Sequence, residues 1–261
     1  PVRPALASRF GLPPHLTIHT GAHDSSTNFY RYQAAGFRDL VVVSTGTWIV
    51  ALADRFSMPA IDERRSMTLN CDMDGKPLGG SLAMGGREFS HVAGVQDRHA
   101  SADLNTINRL MARGTFALPT FGASGGQFEG SAGHGRITGP KPVDAGERLA
   151  LAVLYVALLT VTCTDALSPG HRLIIDGSYL RDPAFGRLVA TLRGEAETLC
   201  NPKSYGIASG AALLCTHHDR TAPIPLDLEA PPRDFAVDTL YAYAARWKQL
   251  AADNLNKGRI P

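Results

Sequence analysis

Hydrophobic positions fall into short β-branched runs in the first third of the chain and into longer helical-period stretches after it. The run Val41-Val-Val-Ser-Thr-Gly-Thr-Trp-Ile-Val50 has strand formers on both sides of a small polar centre. It predicts two strands that fold back on each other at Thr45-Gly46. Upstream, Leu16–Thr20 reads as a short strand running into Gly21-Ala-His-Asp24, with a helix starting near Asp24. Downstream, more short strands are expected, with turns at Asp72–Gly75 and at Gly79-Gly80. Phe89, Val92 and Ala93 recur at three-to-four spacing and predict a helix from Gly85, and a second helix is expected over Ala102–Arg113.

Pro119–Pro142 is glycine-rich, but it contains no strict G-x-G-x-x-G or G-x-x-x-x-G-K-[ST] between a strand and a helix, so it predicts a structured loop. Asp144 and Glu147 form a capping box for a long apolar helix, Glu147–Leu167, which Pro169-Gly170 would close. Its charge-free run, Leu149–Thr164, falls short of the roughly 20 residues of a membrane span. It also carries Thr160, Thr162 and Cys163, and so reads as a buried helix. Arg172–Ser178 predicts a buried strand ending in a glycine turn, followed by a helix over Pro183–Leu192 with Asp182 as its cap. Strand, turn and helix in that order place backbone amides at the carboxyl edge of a sheet, where open α/β sheets bind nucleotides. The small residues of Tyr205–Leu214 would let a helix lie close on a sheet or a ligand. Pro223–Pro232 reads as a linker, and the final helix, Asp234–Asn254, carries a stripe of Phe235, Leu240, Tyr241, Ala244 and Trp247.

With 261 residues, 44% of them hydrophobic and 19% charged, the chain has material for one large domain or two. Its 26 basic and 24 acidic side chains are spread without a basic block, which argues against nucleic acid and membrane surfaces as partners. Cys71, Cys163, Cys200 and Cys215 have neither C-x-x-C spacing nor a paired His motif. That suggests no disulfide framework and no zinc site, and it fits a reducing cytoplasm. The start, Pro1-Val-Arg, lacks an initiator methionine and a signal-peptide pattern, and is expected to be cut from something longer.

Two places invite chemistry while keeping a plain structural reading open. The Ser44-Thr-Gly-Thr47 corner would gather hydroxyls and N–H groups into a concavity that accepts phosphate, or it is a simple surface turn. Asp24 is either a helix N-cap or an ionised carboxylate at the mouth of a cleft.

Four segments in order, Gly21-Ala-His-Asp24, Ser44-Thr-Gly-Thr-Trp48, Ile175-Asp-Gly-Ser178 and Gly206-Ile-Ala-Ser-Gly-Ala-Ala212, resemble the carboxy-terminal half of FGGY-family carbohydrate kinases. The Ser-Thr-Gly-Thr-Trp form leans toward the rhamnulose and fuculose kinase branches. The resemblance implies an α/β fold, the actin-like, ribonuclease H-like ATPase domain of the sugar kinase, actin and chaperone ATPase superfamily, with a mixed sheet flanked by helices. It divides the chain into 1–37 as the tail of a first domain carrying the catalytic Asp, 38–222 as the nucleotide-binding second domain, and 223–261 as a linker and helix packing toward the first. It implies ATP-dependent phosphorylation of a ketose or deoxyketose such as rhamnulose, fuculose or xylulose, with ATP and Mg2+ as cofactors.

Asp24 matches the general base, with His23 beside it toward the substrate. Thr45, Gly46 and Thr47 match the loop on the outer phosphates, and Gly177 and Ser178 match the pair under the adenosine. Ser178 departs from the commoner second glycine. The family's Asp-x-Gly-Thr motif, which helps hold magnesium, has no match before Asp24. The first domain would therefore be missing, and the chain alone is expected to bind nucleotide weakly and transfer phosphate poorly. The competing expectation is a non-catalytic sensor module of the same fold that binds nucleotide or sugar. The sugar and the oligomeric state, a homodimer among the options, are left open.

Overall fold

The computed structural model describes residues 2–13, 15–18, 21–95, 99–167, 171–203 and 206–257. In chain order the elements are α1 (Pro4–Phe10), α2 (Asp24–Ala34), β1 (Leu40–Thr45), β2 (Ile49–Ala53), β3 (Met67–Cys71), β4 (Pro77–Ala83), α3 (Gly85–Ala93) and α4 (Leu104–Ala112). There follow β5 (Phe116–Leu118), β6 (Arg136–Thr138), α5 (Ala145–Leu167), β7 (Arg172–Gly177), α6 (Pro183–Leu192), β8 (Thr198–Asn201), α7 (Gly206–Leu214) and α8 (Val237–Lys257). Six strands form one sheet in the order β3-β4-β2-β1-β7-β8, and β5 pairs with β6 apart from it. β1, β7 and β8 run parallel; β2 folds back antiparallel on β1, and the antiparallel pair β3–β4 joins β2 through β4.

The central strands are apolar because both faces of the sheet are covered. Val41 and Val43 of β1 point into the large core under α5, whereas Leu40 and Val42 point into the smaller core under α2. α5 is buried along nearly its whole length, and its hydroxyls bond back to the helix, Thr160 Oγ1 to Val156 O and Thr162 Oγ1 to Leu158 O. It is long and apolar enough to cross a membrane, yet 83% of its most apolar stretch lies inside the fold. It starts two residues before the expected Glu147, with the Glu147 N–H donating to Asp144 Oδ1 at 2.8 Å. The Glu147 carboxylate accepts Val143 N–H and a two-pronged Arg113. The proposed closing pair Pro169-Gly170 lies outside the described residues.

Several expectations change. Leu16–Ile18 is irregular, and no strand of the chain runs beside it among the described residues; the rest of that segment, His19 and Thr20, lies outside them. Gly79 and Gly80 sit in the middle of β4 rather than at a turn: a Cβ at Gly79 would lie 2.6 Å from the Phe56 ring, and one at Gly80 would lie 2.3 Å from Thr68 Oγ1. β8, with its mixed Thr-Leu-Cys-Asn sequence, was not anticipated. The proline-rich segment is a strap rather than a free linker. Ile224 N–H donates to Ala34 O, and Glu229 exchanges two backbone bonds with Cys200. In the last helix Tyr241 is exposed, and Tyr243 takes its place in the buried stripe, donating its hydroxyl to Thr115 O. Trp247 Nε1 donates to Ala117 O, fixing α8 against β5. All four cysteines are free; burial pushes the Cys163 and Cys200 thiols up to about 12.

Candidate functional site

Thr45 pairs opposite Ile49, so Gly46, Thr47 and Trp48 make the tip of the expected hairpin. The Gly46 N–H donates to Trp48 O at 2.9 Å, and Thr47 O accepts Gly86 N–H at 3.0 Å. A Cβ at Gly86 would lie 2.9 Å from Gly46 O, so only a glycine lets the first turn of α3 sit against the tip. Thr45 is buried: its Oγ1 donates to Asp176 O at 3.0 Å and accepts Tyr179 N–H at 3.2 Å. Of the two threonine hydroxyls expected at the corner, the Thr45 one therefore binds β1 to the turn after β7, and the Thr47 one stands outside these bonds.

The parallel register sets Thr45 opposite Gly177, which brings the hairpin tip beside the β7–α6 turn. Gly177 has φ 110°, and a Cβ there would lie 2.1 Å from Thr45 O. Ser178 follows it, exposed, with Oγ 3.5 Å from Thr45 O. Asp182 then caps α6 through Ala184 N–H and also accepts Ala102 N–H, and burial raises its pKa. Between tip and turn opens a cleft of about 1160 Å³, lined by Gly46, Thr47 and Ser178 with Arg87, His91 and Arg181. It is large enough for a nucleotide. Two guanidiniums, hydroxyls and a helix start make an anion-accepting set. Phe89 and Tyr179 stack at 6.0 Å on its wall, where burial raises the Tyr179 phenol's pKa. Arg87, His91 and Arg181 were not singled out from sequence; for Arg87 and His91 the signal is Gly85-Gly86, a helix start placed directly after a strand, and for Arg181 the turn between β7 and Asp182.

Asp24 and His23 sit at the start of α2, where His23 holds the N-cap position without a side-chain capping bond and Asp24 is the first helical residue. Asp24 Oδ1 accepts Ser25 N–H at 2.6 Å, with His23 Nε2 3.4 Å away, and both side chains are more than half exposed. One helical turn on, Asn28 Nδ2 donates to Ser44 Oγ at 2.7 Å; a further turn on, Tyr32 Oη donates to Asp176 Oδ2 at 2.9 Å. Burial raises the pKa of Asp176, which together with Asn28, Ser44 and Gly177 lines a second cavity of about 290 Å³. His23 lines a third, of about 780 Å³, with Asn70, Asp72 and His217. Gly46, Thr47 and Ser178 thus share one cleft, Gly177 adjoins it, and Asp24 and His23 lie beyond it.

Among the described residues no three His, Cys, Asp or Glu side chains cluster as a metal cage. A Mg2+ bound through phosphate oxygens and one or two carboxylates needs no such cage.

Residues 37–223 match the family model described as the C-terminal domain of carbohydrate kinase FGGY. The chain belongs to the FGGY carbohydrate kinase family. Its mixed sheet, with helices on both faces, is the actin-like ATPase fold of FGGY kinases. A carbohydrate kinase from Novosphingobium aromaticivorans is 26% identical with a TM-score of 0.81, the match covering 97% of this chain and 55% of that one. A xylulose kinase from Rhodospirillum rubrum is 20% identical with a TM-score of 0.70, over 99% of this chain and 55% of that one. A gluconate kinase from Lactobacillus acidophilus is 14% identical with a TM-score of 0.71, over 98% and 55%. This FGGY chain therefore spans about half the length of the solved kinases it resembles. A search among curated proteins gives no match.

Proposed function

We propose that this chain is the nucleotide-binding half of an ATP-dependent sugar kinase acting on a ketose or deoxyketose such as rhamnulose, fuculose or xylulose. The observation that carries this is the Thr45–Gly177 register, which puts a hairpin tip and a strand-to-helix turn side by side on one anion-accepting cleft. In this reading Thr47 and the Gly46 corner hold the outer phosphates of ATP, and Thr45 acts from below by fixing the corner to Asp176 O and Tyr179 N–H. Gly177 and Ser178 form the floor under the adenosine. Mg2+ bound with ATP through phosphate oxygens would supply neutralisation of the phosphate charge. Asp24 takes the proton from the attacking sugar hydroxyl, and His23 beside it contacts the sugar. Phosphoryl transfer asks mainly for positioning and electrostatic stabilisation, which suits a site of amides, hydroxyls and arginines without a P-loop lysine.

The test is a coupled assay of the full natural chain with Mg2+–ATP against rhamnulose, fuculose, xylulose and ribulose. One sugar is expected to give a sugar phosphate, and Asp24→Asn is expected to lower turnover by about 10²–10⁴-fold. Nucleotide binding without transfer to any sugar would replace the kinase with a sensor module.

A further inference from the structure

We propose that Asn28 and Ser44 are positioning residues that join Asp24 and the phosphate corner into one rigid body. Asp24 then keeps a fixed separation from Gly46 and Thr47, and the place of the base relative to the phosphate corner is set within this chain. The kinetic part of this rests on Asp24 being the base; the structural part does not.

Asp24 and Asn28 are four residues apart on α2 and so share a face one turn apart. Asn28 is 2% exposed, and its Nδ2 donates to Ser44 Oγ at 2.7 Å. Ser44 precedes Thr45 in β1 and stands opposite Asp176 in β7. The next turn of α2 is tied to the same place: Tyr32 Oη donates to Asp176 Oδ2, and Asn201 Nδ2 donates to Tyr32 Oη at 2.9 Å.

From the other side α7 leaves no slack. A Cβ at Gly210 would lie 1.9 Å from Thr27 O, and one at Gly206 would lie 2.1 Å from Asn28 Oδ1. Phe29 and Tyr32 are fully buried against Leu40, Val42 and Ile174 of the sheet. α2, the expected tail of another domain, is thus packed as part of this sheet's own face. Close-packed interfaces switch between arrangements rather than stretch.

Asn28 lines the 290 Å³ cavity with Ser44 and Asp176, and among the described residues no group bonds its Oδ1. The Nδ2 bond to Ser44 Oγ gives the amide a link that no apolar residue could supply.

The structural test is to solve the full natural chain with and without sugar plus a non-hydrolysable ATP analogue. The Asp24–Thr47 Cα separation is expected to agree within about 1 Å between the two structures; a change beyond about 2 Å overturns the proposal. The kinetic test is Asn28→Ala and, should that variant fold poorly, Ser44→Ala. Each is expected to lower kcat by about 10–100-fold with KM for ATP unchanged, because a misplacement near 1 Å costs that much. Unchanged kcat in the folded variants overturns the positioning role. Asp24→Asn assayed in parallel separates the two ideas: retained turnover there removes the base, while the Cα separation still decides whether α2 and the corner move together.

Discussion

Gly177 shows how much one residue position can decide. The Ile175-Asp-Gly-Ser178 motif marks it in the sequence, but the reason for glycine is tertiary: φ is 110° and Thr45 O lies where a Cβ would be. Gly177→Ala is expected to cost about 1–3 kcal/mol from backbone strain and to weaken nucleotide binding in step. Chemical denaturation and titration with an ATP analogue check both, and an alanine variant with native stability and affinity would contradict it. Thr45 carries the opposite lesson. Its place in a small polar corner suggested a hydroxyl for phosphate, but the partner that occupies that hydroxyl is Asp176, 131 residues away in sequence. Asp24 was legible as a carboxylate at a helix start; that His23 would take the cap position was not.

Among the elements, α5 was read nearly to its ends, because an unbroken apolar run between a capping box and a glycine signal needs no outside information. What anchors it was hidden. Arg113, at the end of α4, grips Glu147 with both Nη atoms and holds its carboxyl below the usual range, helped by the Val143 N–H. Arg113→Met would leave that carboxylate short of partners and is expected to cost about 1–3 kcal/mol near neutral pH. The folded pKa is depressed, so the pair's contribution is complete above the unfolded carboxyl value near 4.3. It is lost as pH falls through the lower folded value. Urea melts across the acid range should therefore show a shallower acid-side loss in the variant than in the parent, and equal slopes would count against the pair. The Gly79-Gly80 turn fails and β8 goes unread in the sequence for a common reason. Glycine in a strand and a polar edge strand both lack a local signature, and each is decided by its neighbours, Phe56 and Thr68 in one case and β7 and Glu229 in the other.

Across the whole molecule, the cleft is walled by the hairpin tip, the turn after β7 and helices α3, α5 and α6, while Asp24 and His23 face solvent with more than half of their side chains exposed. The 261-residue chain by itself is expected to bind an ATP analogue weakly and to form no sugar phosphate above background, with both restored in the full natural chain. Calorimetric titration and the coupled assay measure this, and full turnover by the short chain would refute it.

The sequence by itself determined the period of each strong element, the hairpin, the strand-turn-helix at Gly177 and the order of four motifs, because these follow from local propensity and spacing. Only the tertiary structure decided which groups at those motifs are free. Backbone and side-chain donors are consumed by partners far along the chain, as Thr45 is by Asp176 and Asn28 by Ser44, and close approaches such as Gly206 on Asn28 exist only once the helices have packed. Spacing can place a residue at a sheet edge, but whether its hydroxyl or carboxylate meets a ligand or its own fold is a three-dimensional question.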